Sequence, residues 1–166
     1  MNIAIVGATG NVGRKTLELL EKRNLSIDHL YLVASSKSSG KKISFKGKDH
    51  EVFDLETFDF SKVKISFFAA GGIISERFAE KAAKHCLVID NSSYYRMDPD
   101  VPLVVPQVNS KDLKNIKKNI IANPNCSTAQ LVIALKPLHD LFVIKRVVVS
   151  TYQSVSGGGK APMDEL

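Results

Sequence analysis

The stretch that most constrains this chain lies at its start, "NIAIVGATGNVGRKTLELL", residues 2–20. A short apolar, β-branched run from Asn2 to Val6 leads directly into glycines at 7, 10 and 13, and then into a segment whose Val12, Leu17, Leu19 and Leu20 suit a helix packed on a sheet. Strand, tight turn and helix in so few residues commit the chain to a βα unit, and repeated βα units make parallel sheets. The same geometry makes an anion site. Glycines let the backbone approach a pyrophosphate, and the free amides at the helix N-terminus face it with the positive end of the dipole. Gly7, Gly10 and Gly13 would supply that closeness. Their spacing is G-x-x-G-x-x-G rather than G-x-G-x-x-G, so a turn that serves packing alone stays open as the alternative.

The next apolar run, "HLYLVAS", reads as the second parallel strand, and its end is where an NAD site would carry an acidic residue for the ribose 2′-hydroxyl. None stands there. Residues 35–42 are "SSKSSGKK" instead, hydroxyls and ammonium groups suited to a 2′-phosphate, which favours NADP over NAD. A solvated polar loop has the same composition and stays open as well. Further on, residues 42–59 predict one or two edge strands, "VKISFFAAGG" a buried strand ending in a Gly pair, "SERFAEKAAK" a helix capped by Ser75, and "HCLVID" another strand with Cys86 in the core. The expected fold is α/β, a Rossmann-like doubly wound parallel sheet.

Composition narrows the class of function. The net charge is +6, but the lysines are dispersed apart from "SSKSSGKK" and "KDLKNIKK", and tryptophan is absent. A solvated basic surface or a pocket for anionic ligands explains this charge better than nucleic acid does. Two cysteines are too few for a disulfide framework, and the four histidines have no spacing that completes a metal site with them, so no metal is expected. No long apolar window or signal-like start occurs, which predicts no membrane association and a cytoplasmic location.

The chemistry lies further along. "DNSSYYRMDPDVPLVVPQVN" has little periodicity and contains Arg96, either a surface residue or a fork for a carboxylate or phosphate. After it, "NIIA" reads as a strand, "NPN" as a turn and "STAQLVIALKPL" as a helix, which places Cys126 at a helix N-terminus. A cysteine there is either a small packed hydrophobe or a thiol whose thiolate the helix end favours. A thiolate near a nicotinamide makes thioester chemistry possible, with hydride then reducing the thioester to an aldehyde.

The ordered set "GATGNVG", "SSKSSGK", "FFAAGG", "DNSSYYRMDPDVPLVVPQVN", "NPNCST" and "TYQSVSGGGK" resembles the bacterial aspartate-semialdehyde dehydrogenases. Members reduce aspartyl β-phosphate with NADPH to aspartate semialdehyde and phosphate, on the route to lysine, methionine and threonine. By this resemblance Cys126 is the nucleophile, Gln153 positions substrate and thioester, and Arg96 binds the departing phosphate. Gly7, Thr9, Gly10, Asn11 and Val12 form the cofactor turn, and Ser35, Ser38 and Lys41 the 2′-phosphate pocket. Gly71 and Gly72 contact the cofactor through backbone, while Ser156, Gly157 and Lys160 lie near the nicotinamide.

Tyr95 stands where the family often has Phe, and Gln107 where "VPEVN" is usual. Family members are roughly twice this long on the two-domain plan. None of His29, His50, His85 or His139 matches the context of the family's acid/base histidine. The resemblance therefore implies an N-terminal fragment, inactive alone. Residues 1–130 would form the NADP-binding domain, and residues 131–166 the start of a second α+β catalytic and dimerisation domain that makes a homodimer at full length. "KRVVVSTYQSV" would be its first strand. The rivals are an N-acetyl-glutamyl-phosphate reductase, whose cysteine sits in an "NPGCY"-like setting, and a non-catalytic NADP-binding module.

Overall fold

In the computed structural model, which describes residues 1–23 and 25–165, the first βα unit is β1, Ile3–Val6, followed by α1, Asn11–Lys22. The other strands are β2 (Leu30–Ala34), β3 (Lys42–Phe45), β4 (Lys48–Asp54), β5 (Ile65–Phe68), β6 (Leu87–Asp90) and β7 (Ile120–Ala122). Among the described residues these seven strands form one sheet in the order β3-β4-β2-β1-β5-β6-β7. All neighbours run parallel except β3 and β4, whose antiparallel pairing makes β3 the edge.

The two faces of β1 belong to different cores, because side chains alternate across a strand. Ile3 and Ile5 pack with Leu17 and Leu20 of α1, while Ala4 and Val6 pack with Phe78, Ala79 and Ala82 of α2, Gly72–Ala83. Helices thus cover both faces, as the doubly wound expectation requires. β1, β2 and β7 are buried on both sides, which is why they read as continuous apolar runs, whereas β3 and β4 carry exposed residues. Full burial of a leucine contributes about 1.5–3 kcal/mol, and Leu17 and Leu20 do this for α1.

Several local expectations need correction. Val12 and Leu19 of α1 are exposed, so its buried stripe is Gly13, Leu17 and Leu20. Ser75 does not cap α2: Gly71 does, with φ +86°, and Ser75 lies inside the first turns with its hydroxyl donating to Asp90 Oδ1 at 2.7 Å. The region 90–109 is mostly turns, but Pro106–Asn109 forms the short helix α3. The final helix of the expected order, α4, spans Cys126–Phe142 and has no buried residue among those described. "KRVVVSTYQSV" is not a strand: no described segment pairs with it, and Val147, Val148, Val149 and Tyr152 are exposed. A single 3-10 turn, Val155–Gly158, and α5, Lys160–Asp164, follow. No helix of the described residues is long and apolar enough to cross a membrane.

Candidate active site

The C-terminal end of β1, between β2 and β5, is the switch point of the sheet, where crossovers leave to opposite faces and a crevice must open. A cleft of about 380 Å³ lies there, lined by Gly7, Thr9 and Gly10 of the first turn, Ser35 and Ser36 after β2, and Ala69 and Ala70 after β5. Its size is within the range of ligand clefts. The turn is shaped by packing. Gly7 has φ +85°, and a Cβ there would lie 2.6 Å from the Ala69 carbonyl oxygen. Gly7 O accepts the Gly10 N–H at 3.0 Å, which closes the turn immediately before α1.

Gly7, Thr9, Gly10 and Ser35 therefore line one cleft. Asn11 and Val12 follow at the exposed start of α1. Ser38 and Lys41 stand on the same turn after β2 but outside the cleft lining, and Lys41 is exposed. Gly71 and Gly72 begin α2 beside the lining residue Ile74. The cleft also takes Asp54 and Glu56 from the end of β4 and Arg77 from α2, which sequence reading missed. Arg77 bonds Glu56 Oε1 at 2.9 Å and lies 5.0 Å over the Phe78 ring. Treating residues 42–59 as edge strands hid them. β4 is an inner strand paired with β2, so its end reaches the same rim.

The chemical side of the rim is built on β6 and β7. Asp90 pairs with Ala122 in parallel register, so the next residues, Asn91 and Asn123, leave the sheet side by side. Asn123 Nδ2 donates to Asn91 Oδ1 at 2.6 Å, and Asn91 Nδ2 donates to Phe68 O at 3.2 Å. Beneath them Asp90 is fully buried, its carboxylate accepting from Ser75 Oγ, Ser92 N and Ser92 Oγ. Arg96 lies over the pair, its Nε donating to Asn123 O at 2.9 Å and an Nη2 proton to Asn91 O at 3.2 Å. Among the described residues no carboxylate pairs with this guanidinium, which leaves its other N–H groups for an anion.

Three residues beyond Asn123 comes Cys126, the first residue of α4 and exposed. Asn125 caps the helix, its Oδ1 accepting from Ser127 N at 3.0 Å and Ser127 Oγ at 2.6 Å, with Cys126 Sγ 3.9 Å away. Three residues span at most about 11 Å of chain, so Arg96 is tied close to the thiol. Gln153 is exposed, and its amide donates to Thr151 Oγ1 at 3.1 Å, with no described contact to Cys126. Ser156 and Gly157 lie in the 3-10 turn, just before α5, which returns to the glycine turn through Asn11 Nδ2 to Met163 Sδ at 3.4 Å. Lys160 opens α5, and its side chain falls outside the described residues.

Cys86 is a different thiol. It is buried between Ser66 Oγ at 3.3 Å and Ala82 O at 3.4 Å, and burial pushes its pKa up, with the Ser66 hydroxyl opposing. Limiting iodoacetamide is therefore expected to label Cys126 first, as mass spectrometry of the peptides would show. Earlier labelling of Cys86 would overturn this distinction.

Residues 2–116 match the semialdehyde dehydrogenase NAD-binding domain, and residues 135–166 the semialdehyde dehydrogenase dimerisation domain. The chain belongs to the semialdehyde dehydrogenase family. It is 50% identical over 167 aligned residues to an aspartate-semialdehyde dehydrogenase of Shewanella violacea, covering 99% of this chain and 49% of that protein. It is 56% identical to that of Aquifex aeolicus at the same coverage. The crystal structure of aspartate semialdehyde dehydrogenase II of Vibrio cholerae complexed with ASA superposes with a TM-score of 0.96 at 51% identity, over 99% of this chain and 49% of that one. A Candida albicans aspartate semialdehyde dehydrogenase with NADP gives a TM-score of 0.68 at 32% identity, over 86% and 48%. This semialdehyde dehydrogenase chain thus spans about half the length of the curated relatives it matches.

Proposed function

We propose that the chain carries the cofactor domain and nucleophile of an NADPH-dependent aspartate-semialdehyde dehydrogenase. The observation that carries this reading is one rim holding three things: a glycine-lined cleft, an exposed Cys126 at a helix start, and an Arg96 aimed by two backbone carbonyls. The relatives' names supply the substrate class, and the Candida albicans complex supports NADP.

In this reading the Cys126 thiolate attacks the acyl carbon of aspartyl β-phosphate, the carbon–oxygen bond to phosphate breaks, and a thioester forms. Arg96 takes the phosphate through its free N–H groups. NADP in its reduced form, when bound, supplies the hydride. Gly7, Thr9, Gly10, Asn11, Val12, Gly71 and Gly72 would hold its phosphates and ribose through backbone amides at two helix starts, while Ser35, Ser38 and Lys41 would take the 2′-phosphate. Gln153, Ser156, Gly157 and Lys160 would close the reacting end. The product aldehyde feeds lysine, methionine and threonine synthesis in the cytoplasm. The matches over residues 2–116 and 135–166 support two units, which we read as residues 1–130 and 131–166, with homodimer formation through the second.

Activity is tested in a protein of full family length that includes this chain, by following NADPH formed from aspartate semialdehyde, phosphate and NADP. Failure to form NADPH would remove the reading. These 166 residues alone are expected to bind NADPH without turnover, because a positioned acid/base contributes about 100- to 10,000-fold and no histidine here matches the family's. In calorimetric titration they should prefer NADPH to NADH about tenfold or more, and Lys41→Ala should remove most of that preference, since a charge-assisted bond to phosphate is at stake. Equal affinity for the two cofactors would refute the 2′-phosphate assignment.

A further inference from the structure

We infer that Asn91 and Asn123 are positioning residues, a side-chain clasp that sets Arg96 relative to Cys126. This rests on the reading of Arg96 as the phosphate ligand and Cys126 as the nucleophile. The two asparagines directly follow adjacent in-register strands, and the clasp bond of 2.6 Å runs between their amides. Their main-chain carbonyls, not their side chains, hold the guanidinium. A planar fork held at Nε and at one Nη2 proton has a fixed plane and a fixed free edge.

Each half of the clasp is also anchored to the sheet: Asn91 N and Nδ2 both donate to Phe68 O, and Asn123 N donates to Asp90 O. One half leads to the loop that carries Arg96, the other through Pro124 and Asn125 to Cys126. Without the bond between the amides, the Asn123 N–H to Asp90 O bond still joins the two segments at the end of the sheet, but beyond it the rim is held across by Arg96, and a phosphate ligand that must also brace its own support is poorly preorganised. The clasp thus fixes where the leaving phosphate sits against the attacking sulfur.

The test uses a protein of full family length containing this chain, with Asn91→Ala, Asn123→Ala, the double variant, and Arg96→Leu as reference. Each single asparagine variant should raise KM for phosphate about 3- to 10-fold and lower kcat, while KM for NADP stays near the parent value. The double variant should cost no more than the worse single, because both remove the same bond. Asn123→Asp should lose function at neutral pH, where two oxygens face each other, and recover part of it on acidification, when a carboxylic acid can donate to Asn91 Oδ1. If Arg96→Leu leaves KM for phosphate unchanged, the phosphate reading of Arg96 fails and takes the clasp's role with it. If Arg96→Leu raises it but the asparagine variants do not, or if their effects add, the clasp alone is wrong.

Discussion

Cys126→Ser, in a protein of full family length carrying this chain, is expected to lower kcat for aldehyde oxidation by about a thousandfold or more while leaving NADPH affinity within about twofold. The size follows from the chemistry. A serine hydroxyl at a helix start is a far weaker nucleophile than a thiolate, and the described rim offers no histidine beside Cys126 to take a proton from it. The selectivity follows from the fold. Cys126 lies on the rim built by β7 and α4, whereas the glycine-lined cleft is built by β1, β2, β5 and the end of β4. Steady-state rates with calorimetry on the same preparation separate the two quantities. Retained turnover would show that the thiol is not the nucleophile. A parallel loss of NADPH binding would show that the substitution disturbs the fold instead of the chemistry.

The middle of the sheet was legible because β1 and β2 are buried on both faces, and the runs "IAIV" and "LYLVA" advertise this without any partner in view. The glycine turn was legible for a related reason, since close backbone approach leaves few residue types to choose from. What escaped were features set by partners distant in sequence. Ser75 looks like a cap, but its hydroxyl is committed to Asp90, across the core on β6. Val147, Val148 and Val149 have strand propensity, yet a strand is a property of a pair, and no described segment pairs with them.

The candidate site divides in the same way. Gly7, Thr9, Gly10 and Ser35 follow β1 and β2, and they could be placed as soon as those strands were. Asp54, Glu56 and Arg77 reach the cleft only through the strand order, because β4 sits inside the sheet beside β2 instead of at its edge. Asn91 and Asn123 left a faint sign, a polar residue directly after each of two apolar strands. Only the Asp90–Ala122 register makes them neighbours. Arg96 was found as a residue but not as a geometry, since its aim comes from two carbonyl groups that side-chain chemistry does not record.

The second large effect concerns Gly13, where Ala should be strongly destabilising although helix propensity alone would favour it by about 1 kcal/mol. Gly13 is buried in α1, and a Cβ there would lie 2.2 Å from Gly7 O and 2.8 Å from Ala8 Cα. Both obstacles are backbone, so no rotamer change relieves them, and α1 must shift away from the turn. The same Gly7 oxygen accepts the Gly10 N–H, so that shift also strains the bond closing the turn. Overpacking of this kind costs typically about 1–3 kcal/mol, and each kcal/mol lowers Tm by about 2–4 °C in a chain of this size. A fall of about 2–12 °C is therefore expected, with NADPH affinity reduced at least about tenfold as the free amides of α1 move off the pyrophosphate. Gly10→Ala is the control. Its Cβ would meet Gly7 O at an ordinary 3.4 Å and its φ is −80°, so only the cap preference of about 1 kcal/mol is at risk. Thermal melts of both variants, with and without NADPH, give the comparison: a Gly13→Ala protein as stable as Gly10→Ala would mean that α1 can move at little cost, and that the glycine spacing serves the ligand instead of the packing.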